Sequence, residues 1–367
     1  MHLDFQQLMQ QATQLTQSGD LRAATAAIQA ALRGVGRTTR GASEDADVID
    51  VEAIEITASV AASGTGAARD PSGDVPLRKP IQAGDTFTTG SFRNSAGLRH
   101  YKLYVPPNAG DQPLPLVVML HGCTQDADDF AAGTAMNDAA RAQGFYVLYP
   151  IQSREANPQK CWNWFKHNHQ RAERGEPAIL AGMTRSIMQT HAIDARRIYV
   201  AGLSAGGAMA AILAGAYPGL YAAAGVHSGL APGVASDLPS ALAAMKGVNI
   251  SGSAQAGSGV PTIVFHGDRD ATVHPSNALA VAVASAGSGA PVQMDRVAGT
   301  NRQRQSIRHT YRNAAGDVIA ERWEISGAGH AWAGGSKSGT YTDPAGPDAT
   351  GEMLRFFFAQ KVGGKQE

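Results

Sequence analysis

Between Arg197 and Tyr217 the chain reads RIYVAGLSAGGAMAAILAGAY. Ile198, Tyr199 and Val200 form a β-branched and aromatic run of the kind that fills a buried parallel strand. Gly202-Leu203-Ser204-Ala205-Gly206 then fits G-x-S-x-G, and Gly207 to Leu213 is small and apolar enough for a helix lying close on a sheet. Strand, sharp turn and helix together mark a nucleophile elbow. The reason is steric. A serine at the tip of so tight a turn takes a strained backbone conformation that only neighbours without bulky side chains allow. Its hydroxyl then stands clear of the sheet, with the free N–H groups of the helix N-terminus behind it.

A serine hydroxyl is a weak nucleophile until a general base takes its proton, and the base needs an orienting acid. In a doubly wound sheet, ligands sit at the C-terminal ends of the strands. Acid and base are therefore sought just after strands, in the chain order serine, acid, histidine. The run TIVFH (Thr262–His266) leads into Gly267-Asp268-Arg269-Asp270. Asp270 lies past the strand end and round the loop, and is preferred; Asp268, nearer the strand, is the alternative or a tie for the turn. His274, His309 and His330 are the histidines after Asp270. His274 is too close in sequence to bring a separate loop over Ser204, and His309 sits in the alternating run SIRHTYR, which suits a strand face. His330 follows the strand Glu321–Ile325 in the glycine loop Gly327-Ala328-Gly329-His330, and is the preferred base.

A tetrahedral intermediate needs two N–H donors on its oxyanion. Ala205, directly after the nucleophile, supplies one. The other is expected from His121-Gly122-Cys123-Thr124-Gln125, which follows the strand LVVML (Leu116–Leu120). Cys123 is the choice and Thr124 the fallback. His121 precedes the strand of Ser204 and reads as a brace for its loop.

The rest of the chain supplies the scaffold. Thr86–Phe92 and Leu98–Val105 alternate around an Asn94–Gly97 turn, a hairpin signal. Leu116–Leu120, Tyr146–Tyr149, Ile198–Val200, Ala222–His227 and Thr262–His266 are apolar runs separated by stretches of helical composition. That alternation predicts a mostly parallel, doubly wound α/β sheet with helices on both faces. A helix over Ala349–Val362, with Leu354, Phe357 and Phe358 inward, closes a domain expected over 84–362. Ahead of it, residues 1–34 read as two short amphipathic helices forming a hairpin, and 35–83 as an acidic, Gly/Ala/Ser/Thr-rich flexible linker. The 31 basic and 31 acidic residues balance, which argues against a nucleic-acid partner. No apolar run approaches the ~20 residues of a membrane span.

The strings LHGCTQ, CWNWF, AGLSAGGAMA, GVHSG, FHGDRDATV and GAGHAW, in this order, resemble the esterase family of polyhydroxybutyrate depolymerases, which has relatives similar to feruloyl and acetylxylan esterases. The resemblance runs from about Gly97 to Phe358. It implies an α/β-hydrolase fold and hydrolysis of hydroxyalkanoate esters through an acyl-serine, with no metal and no cofactor. Carried over, the triad falls on Ser204, Asp270 and His330. Feruloyl or acetylxylan ester hydrolysis is the alternative. A non-catalytic protein that binds polymer granules or a partner, through the hairpin, is the second alternative; the hairpin could also serve a dimer.

Gln125, Trp162, Trp164, His227 and Trp332 are the expected substrate contacts, with Trp162 and Trp164 as an aromatic groove wall. Cys123 and Cys161, the two cysteines, fall in loops on the catalytic face. A disulfide between them would brace the oxyanion loop, and without a CxxC they make no zinc site. The N-terminal stretch has no basic and apolar leader pattern, which reads as cytoplasmic, whereas a paired Cys123–Cys161 would place the chain in an oxidising compartment.

Overall fold

The apolar runs become strands, and their neighbours decide which face each side chain takes. The computed structural model describes residues 84–110, 112–248, 259–299 and 303–363. The hairpin expected over 1–34 and the linker over 35–83 lie outside the described residues.

The described residues open with the antiparallel pair β1 (Thr86–Asn94) and β2 (Gly97–Val105), closed by the two-residue turn Ser95-Ala96. β3 (Leu114–Leu120), α1 (Ala127–Thr134), α2 (Met136–Gln143) and β4 (Tyr146–Ile151) follow. Then come α3 (Gly175–Thr190), β5 (Ile193–Leu203), α4 (Ala205–Ala216), β6 (Ala223–His227) and α5 (Leu238–Met245). β7 (Thr262–Gly267), α6 (Ser276–Ala286), β8 (Val292–Val297), β9 (Ser306–Arg312) and β10 (Val318–Ile325) complete the large sheet. The short strands β11 (Trp332–Ala333) and β12 (Thr342–Asp343) precede α7 (Ala349–Phe358).

Among the described residues, ten strands lie in the order β1-β2-β4-β3-β5-β6-β7-β10-β9-β8. From β4 to β10 neighbours run parallel, and the pairs at both flanks are antiparallel. The sheet is covered on both faces. Along β3, Leu116, Val118 and Leu120 pack with α3 and α4, while Val117 and Met119 pack with α1, α2 and α7. Each such side chain contributes about 1.5–3 kcal/mol by leaving water. β8 (VQMDRV) was not expected, because this edge strand buries none of its residues and so carries no apolar run.

α7 ends at Phe358, four residues short of the expectation. Its C-terminal residues leave the helix because the Val362 N–H donates to the Arg196 carbonyl at 2.9 Å, drawing the chain to β5. Leu354 and Phe357 are buried as expected; Phe358 is half-buried, edge-on to Phe145. Phe357 stacks on Tyr199 at 5.0 Å between centroids.

The reversal of strand order across the sheet at β3 matters most. β3 lies between β4 and β5 in the sheet, so the chain leaves β3 to one side and returns on the other. The loops after β3 and β5 therefore flank a topological switch point, where an open parallel sheet presents its crevice.

Truncating the fully buried Phe357 to alanine is expected to cost about 3–5 kcal/mol in denaturant unfolding, whereas Leu279→Ala at an exposed position stays within about 0.5 kcal/mol. Equal effects would contradict the core placement.

Candidate active site

Ser204 caps α4 with φ 58° and ψ −120°, a conformation that costs a non-glycine residue on the order of 1–3 kcal/mol. Two backbone bonds hold it there. Its N–H donates to His227 O and its carbonyl accepts from Ala208 N, both at 2.9 Å. The flanking glycines are demanded by contact. A Cβ on Gly206 would lie 2.0 Å from the Leu120 carbonyl oxygen, and one on Gly202 only 2.4 Å from Gly206. Ser204 is partly exposed, and its hydroxyl makes no hydrogen bond to any described residue.

Two strands away, Asp270 follows β7 and is buried. Its Oδ1 accepts from the N–H groups of Thr272 and Val273, both at 2.9 Å. Its Oδ2 accepts from His330 Nδ1 at 2.7 Å and lies 3.3 Å from His266 Nε2. Burial alone would raise this carboxyl; the hydrogen bonds from His266, His330 and Val273 outweigh it and hold the pKa well below the usual range. Of the two acids weighed from sequence, Asp270 meets the imidazole, while Asp268 Oδ1 accepts from Gly327 N at 2.6 Å and ties the His330 loop. His274 bonds to Ser276 and His309 faces Glu324, both apart from Asp270.

The loop bearing His330 is clamped from below. Gly267 approaches it so closely that a Cβ there would lie 2.2 Å from Ala328 O. Trp332 is buried against Phe130 and His227, and its Nε1–H donates to Thr350. His227 Nε2 accepts from Ala333 N at 2.9 Å, so its proton sits on Nδ1, facing Ser228 Oγ. Burial pushes this imidazole's pKa well below its ordinary value.

On the other side of Ser204, the loop after β3 is braced in the same way. His121 is buried, with Nδ1–H donating to Gly122 O at 2.8 Å and Nε2 accepting from Gln152 N at 3.1 Å. Desolvation takes its pKa down to about 4. Gln125 Oε1 accepts from Gly122 N, and its Nε2 donates to Asp129. Thr124 N donates to Gln159 O at 2.7 Å, so that fallback donor is committed. The N–H groups of Cys123 and Ala205 donate to no described residue.

Cys123 and Cys161 are disulfide-bonded, with Cα atoms 4.2 Å apart. Behind Cys161 lies a buried polar network that the sequence did not signal. Glu176 accepts from Arg99, Gln152 and both the N–H and side chain of Asn163. Its carboxyl would be raised by burial, but these donors and His169 hold it low. Glu176 is the one acidic residue of α3, a signal too faint to read without its partners.

The substrate contacts expected at Gln125, Trp162, Trp164, His227 and Trp332 are corrected on one physical ground. All five side chains are buried. Trp162 packs in the core and donates to His121 O; Trp164 packs edge-on against Phe165. They support the loops from beneath and do not wall a groove. The exposed rim instead carries Tyr341, at φ 52°, whose hydroxyl lies 3.2 Å from Thr124 Oγ1, and Thr124 itself, at φ 68°.

Residues 99–287 match the family described as Esterase PHB depolymerase. The chain belongs to this family. It is 30% identical over 262 residues to poly(3-hydroxyalkanoate) depolymerase C of Paucimonas lemoignei, covering 67% of this chain and 58% of that protein. To feruloyl esterase B of Thermothelomyces thermophilus it is 32% identical over 149 residues, 40% of this chain and 50% of that one. The chain thus spans only half to three fifths of the length of these relatives. An acetyl xylan esterase from Aspergillus awamori superposes with a TM-score of 0.53 at 19% identity, over 71% of this chain and 94% of that one. This PHB depolymerase-family chain therefore has the α/β-hydrolase fold. Among its described residues, no helix is long and apolar enough to cross a membrane.

The buried imidazoles set an acid limit. A histidine whose folded pKa lies below its unfolded value takes up a proton more readily once unfolded. The His121 contribution is therefore whole above about pH 6.5 and is lost as the pH falls toward about 4, on the order of 3 kcal/mol. His227 acts in the same direction, and Asp270 adds a loss below the ordinary carboxyl range. Denaturant midpoints are expected to fall across this window, with a shallower slope in His121→Asn; an unchanged slope in that variant would contradict the assignment.

Proposed function

We propose that the chain is a serine carboxylesterase of hydroxyalkanoate esters, polymer or short oligomer, working through an acyl-serine. The Asp270–His330 hydrogen bond, on the strand-end edge that also carries the strained Ser204, is the observation that carries this reading. In the first half-reaction the Ser204 hydroxyl attacks the ester carbonyl as His330 Nε2 takes its proton. Asp270 keeps the other ring proton on Nδ1, which fixes the tautomer and stabilises the imidazolium. The N–H groups of Cys123 and Ala205 receive the oxyanion, aided by the positive end of α4. The intermediate collapses, and His330 returns the proton to the departing alkoxide. Water then enters, gives a proton to His330 and attacks the acyl-serine; on collapse His330 returns that proton to Ser204 Oγ, which frees the acid and restores the enzyme.

The identity to a poly(3-hydroxyalkanoate) depolymerase over two thirds of the chain supports the hydroxyalkanoate class over the feruloyl class, where likeness covers less of it. Under this reading Gln125, His121, His227 and Trp332 hold the two loops in place, and the rim at Thr124 and Tyr341 meets the ester chain. Granule or dimer contact through residues 1–34 is part of the same proposal.

With p-nitrophenyl butyrate, Ser204→Ala is expected to lose at least about 10³-fold in kcat/KM. A variant that keeps most of its turnover contradicts the nucleophile, and a wild type without turnover favours the binding-protein reading. Hydroxybutyrate oligomers are expected to outcompete methyl ferulate; the reverse preference moves the substrate to the feruloyl class.

A further inference from the structure

His266 ends the apolar run of β7, next to Phe265, and only 2% of it is exposed. An imidazole is a costly choice there. Its Nδ1 is buried and has no hydrogen-bond partner among the described residues, a loss that an apolar side chain of the same shape would avoid. The compensation lies on the other nitrogen. Nε2 is 2.8 Å from Val273 O and 3.3 Å from Asp270 Oδ2. Both are acceptors, so the proton is on Nε2, where it bonds Val273 O and faces the Asp270 carboxylate.

We propose that His266 is a positioning residue for the catalytic acid, sharing Asp270 Oδ2 with His330 and tying the carboxylate to the turn that carries it. This deepens the esterase reading and rests on it. The carboxylate is then held on both oxygens. Oδ1 takes the N–H groups of Thr272 and Val273, and Oδ2 takes His330 and His266. With His266 in place, Asp270 cannot rotate away from the His330 loop without leaving the His330 Nδ1–H unpaired and taking its charge from beside the His266 N–H.

His266 also sets how much negative charge His330 meets. A donor on Oδ2 draws charge from the oxygen that stabilises the imidazolium, so removing it strengthens the hold on the His330 proton. The other groups facing this carboxylate are few. His227 approaches from β6, and His330 from the loop after β10. In the acid's own loop, Asp268 and Arg269 are exposed, with Asp268 accepting from Gly327. None of them takes over the His266 bond.

The test reads His330 directly, without turnover, by NMR titration of ¹⁵N-histidine-labelled protein. His266→Phe is expected to raise the His330 midpoint by about half a pH unit or more. His266→Asn, whose shorter amide falls at the Nδ1 position, is expected to raise it likewise and serves if the phenylalanine variant does not fold. His266→Gln, whose amide N–H reaches the Nε2 position, restores the wild-type midpoint. On p-nitrophenyl butyrate, the acid limb of kcat/KM moves up in pH with His266→Asn, and kcat falls about tenfold with little change in KM. A folded His266→Asn with the wild-type midpoint overturns the proposal even if the protein is an active esterase. A wild type inactive on esters overturns the esterase reading, while the midpoints still decide the role of His266.

Discussion

The site depends on how closely two pieces of backbone pass at the end of β5. Gly202 and Gly206 lie against each other and against the Leu120 carbonyl, leaving no room for a Cβ on either. This contact brings the loop after β3 beside the turn after β5, so Ser204 and Cys123, the proposed nucleophile and oxyanion donor, share one rim though distant in the chain. It also explains why Ser204 holds a left-handed φ. The strain is local, and the surrounding register, His227 O below and Ala208 N above, over-determines it.

Beneath the rim, the fold spends buried polar side chains on fixing loops. His121, Gln125 and Glu176 serve the side of the loop after β3, and His227 and His266 the histidine side, where the exposed Asp268 adds a tie to Gly327. Buried polar groups are tolerable chiefly when paired, and most pairings here end on a loop peptide or a residue of the proposed site. The disulfide between Cys123 and Cys161 adds a covalent tie between the oxyanion loop and the Glu176 network. His121 and His227, kept neutral by burial, suit this role, since one ring nitrogen donates and the other accepts. The same choice makes the loops sensitive to acid.

Much of this was legible in the chain. Strands buried on both faces announce themselves as apolar runs, so β3 to β7 were readable, and the elbow followed from glycine spacing. Asp270 and His330 could be chosen because strand ends and chain order leave few candidates. Face and depth were not legible. Trp162, Trp164, His227, Trp332 and Gln125 sit next to site residues in sequence, yet their side chains turn inward under the loops, and spacing alone cannot say which way a loop residue faces. His266 looked like the last residue of a strand because its function depends on a turn four residues on. β8 was missed because an exposed edge has no apolar signature, and the early end of α7 follows from a bond to β5 remote in sequence.

The central claim is that the hydroxyl of Ser204 becomes nucleophilic through an imidazole held by a buried carboxylate. Reaction with diethyl p-nitrophenyl phosphate tests this without any assumption about the ester. The account predicts one phosphoryl group per chain, located on Ser204 by mass spectrometry and formed far more slowly in His330→Ala. A folded protein that takes up no label, or takes it up elsewhere than Ser204, would contradict it.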